Sequence, residues 1–134
     1  MTQSRSSQGD TSADKGALRV STAKSRGAAV IGLQGEFVGV EVAHFRRACN
    51  HMEQEGFKLW VVDLAEVDRI DGYGLAGLLG LLSRAKREGG RLVLCGINPD
   101  LRARFEATFC EEIFEIDFTV AKAVDRLTKG NNDS

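Results

Sequence analysis

Residues 69–79 read RIDGYGLAGLL: an aspartate, then a tyrosine between two glycines, then a leucine-rich run. Three chemistries fit that pattern. Glycines at a helix entrance leave backbone N–H groups and the positive end of the helix dipole open to an anion such as a phosphoryl group. A bare backbone also admits a close-fitting partner, and glycine can simply make a turn. A phosphoryl group held here would have serine or threonine as its natural acceptor, and this segment has neither; its only hydroxyl belongs to Tyr73. Asp63, Asp68 and Asp71 gather near one expected strand end and form a candidate Mg²⁺ set, although Asp68 and Asp71 fit better as acceptors for turn and helix-start amides.

Other catalytic patterns are missing. Gly72-x-Gly74 lacks the third glycine of a dinucleotide fingerprint, and the chain contains neither G-x-x-x-x-G-K-[ST] nor G-x-S-x-G. His44 and His51 share the face of one expected helix, but two turns, about 10 Å, separate them. The cysteines Cys49, Cys95 and Cys110 are widely spaced in apolar surroundings and read as reduced core thiols. No nucleophile–base pair emerges. The expectation is a protein that is not an enzyme and holds no metal or cofactor.

The elements that must position the turn follow from periodicity. Residues 18–20 and 28–33 read as strands, the second running out at Gln34-Gly35-Glu36. Residues 40–54 turn to helical spacing, with Val42, Phe45, Cys49 and Met52 on one face, and Gly56 ends the helix. Residues 57–64 are almost continuously apolar, as in a strand buried on both faces of a parallel sheet. Residues 65–74 are expected to be a turn segment. A helix then runs to residue 88 with Leu75, Leu78, Leu79, Leu82 and Ala85 as its stripe, closed by Gly89-Gly90. Residues 91–97 make another strand, and Asn98-Pro99-Asp100 opens a helix carrying Leu101, Phe105 and Phe109. A short strand at residues 113–118 and a last helix, capped by Thr119 and lined by Val120, Ala123, Val124 and Leu127, complete the set. Trp60, Phe114 and Phe118 are expected in the core, and His44 and His51 on the solvent side.

Strands alternating with helices imply right-handed crossovers and an α/β fold: a mainly parallel sheet of four to five strands with about four helices. Sites in such sheets lie at the carboxyl ends of strands. Residues 34–39 and 68–74 are therefore expected side by side, with Tyr73 as an exposed anchor, being large, amphipathic and low in rotamer entropy. Gly77, Gly80 and Arg84 are expected to continue that surface along the helix, away from the leucine stripe.

The 134 residues fit one domain. Residues 1–17 lack large apolar side chains beyond Met1 and are expected to be a disordered tail, residues 18–127 the folded unit, and residues 128–134 a flexible end. A net charge of −1 argues against a nucleic-acid partner, and Arg84, Lys86, Arg87 and Arg91 are accounted for as cations at a helix carboxyl end. No apolar run approaches the ~20 residues of a membrane span, and no apolar signal-peptide region opens the chain. A cytoplasmic protein without membrane insertion is expected; the oligomeric state stays open.

The segment VVDLAEVDRIDGYGLAGLLGLLSRAKREGGRLVLCGINPDLRARFEATFCEEIFEI, with LQGEF before it, resembles the core of a STAS domain, the fold of bacterial anti-sigma factor antagonists and of sulfate-transporter tails. The resemblance spans residues 18–127. It implies a bacterial signalling module that regulates transcription by binding a protein: a kinase-type anti-sigma factor or related regulator. The phospho-regulated members of that family carry Asp-Ser-Ser-Gly or Asp-Ser-Thr-Gly at the turn. Asp71 and Gly74 match its ends, whereas Gly72 and Tyr73 replace the two hydroxyl residues, and Val38 stands where the family has a second aspartate. Tyr73, at the modified position, places its hydroxyl about 6 Å further out than serine would. The resemblance thus implies docking through Asp71, Gly72, Tyr73, Gly74, Gly77, Gly80 and Arg84 without the serine phosphorylation switch. The alternatives are an accessory subunit of a lipid-transporting ABC permease, or an enzyme or nucleotide binder using Asp63, Asp68 and Asp71.

Overall fold

A computed structural model describes residues 17–108 and 112–129. Expectations for the N-terminal tail, Phe109, Cys110 and the last residues lie outside that range. The described residues fold into five strands and four α-helices in the order β1 (Leu18–Ser25), β2 (Ala28–Phe37), α1 (Val42–Gln54), β3 (Leu59–Ile70), α2 (Gly72–Arg87), β4 (Arg91–Cys95), α3 (Pro99–Ala107), β5 (Glu115–Asp117) and α4 (Val120–Lys129). The strands lie side by side in chain order; β1 is antiparallel to β2, and β2 to β5 are parallel. Because each crossover advances the sheet in the same direction, α1, α2 and α3 collect on one face. Their apolar sides meet Ile31, Leu33, Trp60, Val62, Leu64 and Leu94 in the larger core. Among the described residues α4 alone covers the other face, packing Ala123, Val124 and Leu127 on Ala28, Val61, Val93 and Cys95. It runs on to Lys129, two residues past the expected end of the folded unit.

β3 departs most from the sequence pattern. The expected turn at residues 65–70 is strand, because the pairing with β2 slips twice: Gly32 to Gln34 faces Asp63 to Glu66, and Gly35 to Glu36 faces Val67 to Arg69. Each slip adds one residue to β3, a bulge that resets which side chains turn inward. Leu64, Val67 and Ile70 are all buried at a spacing of three, which a period-two reading takes for a polar loop. The extension carries the chain to Asp71 at the carboxyl edge of the sheet.

The helix stops agree with the glycine signals. After α1, Gly56 adopts φ +95° and donates to Glu53, while Phe57 donates to Met52. After α2, Gly89 at φ +78° donates to Lys86 and Gly90 to Ala85. Both are paired left-handed terminations that satisfy the last helix carbonyls. The inward stripe of α2 is rotated from the expected one: Leu81 is buried and Leu79 is 36% exposed. Gly74 and Gly77 cause this, since their missing side chains let that side of the helix settle against its neighbours. Phe118 also differs, at 78% exposed. Its N–H is held by the Asp117 carboxylate, which also accepts from Arg126, so the chain turns outward just after β5.

Candidate functional site

The carboxyl ends of β2 and β3 meet as neighbours, with Phe37 opposite Ile70. Beyond them the chain forms two loops joined by Asp71. One of its carboxylate oxygens, Oδ1, accepts the Gly74 N–H at 3.0 Å and caps α2. The other, Oδ2, accepts the Gly39 N–H at 3.0 Å, in the short loop that leads to α1. Gly39 sits at φ +53°, a left-handed conformation suited to glycine. A single 3-10 turn over Gly39–Glu41 follows before α1 begins.

The three residues of the Gly-Tyr-Gly segment have separate roles. A side chain on Gly72 would meet nothing within 4 Å, so this backbone is open. Tyr73 is 67% exposed. Gly74 faces inward: an added Cβ would lie 2.3 Å from the Phe37 carbonyl oxygen and 2.7 Å from Ile70 Cγ1. That glycine sets how closely α2 approaches the end of β2. Gly77 is buried too, with an added Cβ 2.9 Å from Val42 Cγ1 on α1. It therefore packs α2 against α1 and is not part of an open side of the helix. Gly80 is half-buried and faces Arg84, whose guanidinium is tied to Glu53 of α1 at 3.2 Å. The open surface is thus narrower than expected, centred on Gly72 and Tyr73.

A neighbour missing from the sequence reading completes the site. Val40, in the 3-10 turn, is 87% exposed. It forms with Gly39, Val42, Ala43, Arg46 and Tyr73 an apolar cleft of about 350 Å³. One signal was available: Val40 is out of phase with the inward stripe Val42, Phe45, Cys49 and Met52, so an apolar residue there cannot reach the core.

The carboxylates expected to gather do not. Asp63 accepts the Ala65 N–H, Asp71 is committed to Gly39 and Gly74, and Asp68 is exposed on β3. Among the described residues no set of three His, Cys, Asp or Glu is placed to hold a metal ion. His44 and His51 lie on the solvent side of α1, facing Glu41 and Glu55 respectively. Cys49 and Cys95 are free thiols in the core, and burial pushes both up to about 12. Among the described residues no helix is long and apolar enough to cross a membrane.

The family model of the STAS domain matches residues 19–123. This chain belongs to the STAS domain family. Solved structures agree on the fold. An anti-sigma factor antagonist from Mycobacterium paratuberculosis superposes with a TM-score of 0.76 at 19% identity, covering 84% of this chain and 95% of that one. The Bacillus cell fate determinant SpoIIAA in its phosphorylated form gives 0.63 at 22%, covering 82% and 98%. A sulfate transporter family protein from Wolinella succinogenes gives 0.66 at 18%, covering 82% and 89%.

Proposed function

We propose that this STAS protein acts by binding rather than catalysis, as an anti-sigma-factor-antagonist-like module in bacterial transcriptional signalling. Its partner is a kinase-type anti-sigma factor or a related regulator in the cytoplasm. The partner docks on the carboxyl edge of β2 and β3, through Gly72, Tyr73 and the adjoining cleft. The single observation that carries this reading is the exposed Tyr73 ring on a capped helix entrance, beside Val40, which is exposed as well. Aromatic side chains presented on a fixed scaffold are typical anchors of protein interfaces. With no serine or threonine at the turn, docking here is not reversed by serine phosphorylation at this position.

The test compares the wild-type protein with Tyr73→Ala as bait for partners from the native lysate. Recovery of a kinase-type regulator by the wild type, with about a tenfold loss on Tyr73→Ala, is the expected outcome. Equal recovery by both proteins would remove the turn from the interface. Recovery of a membrane permease instead would favour the transporter-accessory role. Incubation with the recovered kinase and ATP should leave peptides spanning Gly72 to Gly74 unmodified by mass spectrometry.

A further inference from the structure

The charges around the cleft are unevenly used. Glu36 is tied to Arg69 at 3.2 Å. Glu41 accepts the Leu18 N–H at 3.0 Å and stands 3.6 Å from His44 Nε2. Both oxygens of Asp71 are occupied by backbone amides. Glu36, Glu41 and Asp71 are thus engaged inside the protein. Arg46 lines the cleft, is exposed, and has no ion pair or hydrogen bond with another described residue. Arg47 stands next to it on α1, its guanidinium against His44. The apolar opening between Val40 and Tyr73 is therefore flanked by Arg46, a positive charge that no described residue pairs.

From this geometry we infer that the occupant of the cleft is an acidic protein segment. It inserts one large apolar side chain between Val40 and Tyr73 and sets an adjacent carboxylate against Arg46. This rests on the docking reading above and adds the chemistry of the partner. The apolar insertion supplies binding energy by removing Val40 and the Tyr73 ring from water. The carboxylate supplies orientation and faster encounter, because complementary charge steers association and disfavours partners of like charge. Arg46 suits the role, since its planar fork can meet a carboxylate through two parallel hydrogen bonds. Apolar and basic groups together would also suit an anionic lipid surface. The concave shape favours a protein, because a pocket selects a protruding side chain, whereas interfacial anchoring relies on apolar groups that project into the bilayer.

The test selects a phage-displayed random peptide library on the full-length wild-type chain, then measures the enriched peptides by fluorescence polarisation and amide chemical-shift mapping. Enriched sequences should pair a large apolar residue with Asp or Glu and perturb the amides of Gly39, Val40 and Tyr73. Val40→Asp should weaken their binding by about tenfold or more. Arg46→Glu should weaken it similarly and, in a fresh selection, turn the preference toward Lys and Arg. Both substitutions fall at exposed positions, and unchanged thermal unfolding will show that the fold is retained. If the peptides map to the cleft but show no acidic preference, or ignore Arg46→Glu, docking at the turn survives and the charge inference falls. Peptides that map elsewhere, or no enrichment at all, overturn both. Co-sedimentation with phosphatidylserine vesicles that Val40→Asp abolishes, in place of peptide capture, would assign the cleft to a membrane and overturn the inference.

Discussion

Asp71 is the residue on which the local geometry of the site turns. It is the N-cap of α2 and also the link to Gly39, so one carboxylate fixes both loops of the site. Asp71→Ala removes a cap acceptor and leaves the Gly39 N–H without its partner. The expected cost is about 1–2 kcal/mol in urea unfolding, within the range for a lost cap with a second hydrogen bond. Asp71→Asn keeps an oxygen for one amide and turns an NH₂ toward the other, so it should fall between wild type and Ala. If Asp71→Ala unfolds at the wild-type urea concentration, the carboxylate is not what holds the loops. The cap was legible in the sequence, since an aspartate before Gly-Tyr-Gly and a leucine run is a helix-start signal. Its second bond, to Gly39, was not: it spans 32 positions and exists only because β2 and β3 end together.

Two glycines flanking one tyrosine look equivalent in a sequence, but α2 uses them oppositely. Gly72 lies in open space in the first turn of the helix, whereas Gly74 is pressed on the Phe37 carbonyl. Gly72→Ala should be neutral or stabilising by up to about 1 kcal/mol, because alanine narrows the unfolded ensemble without a clash. Gly74→Ala should cost about 1–3 kcal/mol, because its Cβ meets backbone that cannot rotate aside. Thermal unfolding of the two variants separates them; equal melting temperatures would mean that α2 does not pack on β2 as described. The same contact explains why the leucine stripe was only partly legible. Periodicity counts large apolar residues and drew the face through Leu79, while the helix settled on the side where Gly74 and Gly77 permit close approach. β3 was misread for a related reason. Its two bulges depend on pairing with β2, and the resulting three-residue spacing of Leu64, Val67 and Ile70 has no local signature.

At the scale of the whole molecule the described residues cover the sheet unequally, three helices on one face and α4 alone on the other. The parallel order of β2 to β5 was readable from the alternation of strands and helices, but the lone position of α4 follows only from the crossovers filling the opposite side first. The two described cysteines report on the two faces separately: Cys49 lies in the larger core and Cys95 in the layer under α4. Burial holds both thiols up to about 12 from an ordinary 9.0, so each stays protonated, and unreactive, in the folded chain near pH 8. Above pH 9 the unfolded chain ionises its thiols while the folded chain does not, so their contribution to stability falls as pH rises toward 12. Alkylation at pH 8 therefore reads opening of the fold rather than thiolate at its surface. Leu127→Ala removes a buried side chain that packs α4 on the sheet and should cost about 2–4 kcal/mol. If α4 opens by itself, the variant should speed modification of Cys95 by iodoacetamide about tenfold or more while Cys49 keeps its wild-type rate. Peptide mass mapping distinguishes the two sites. Equal acceleration at Cys49 and Cys95 would instead mean that both faces unfold together, and that the single helix is as much a part of the cooperative unit as the three opposite it.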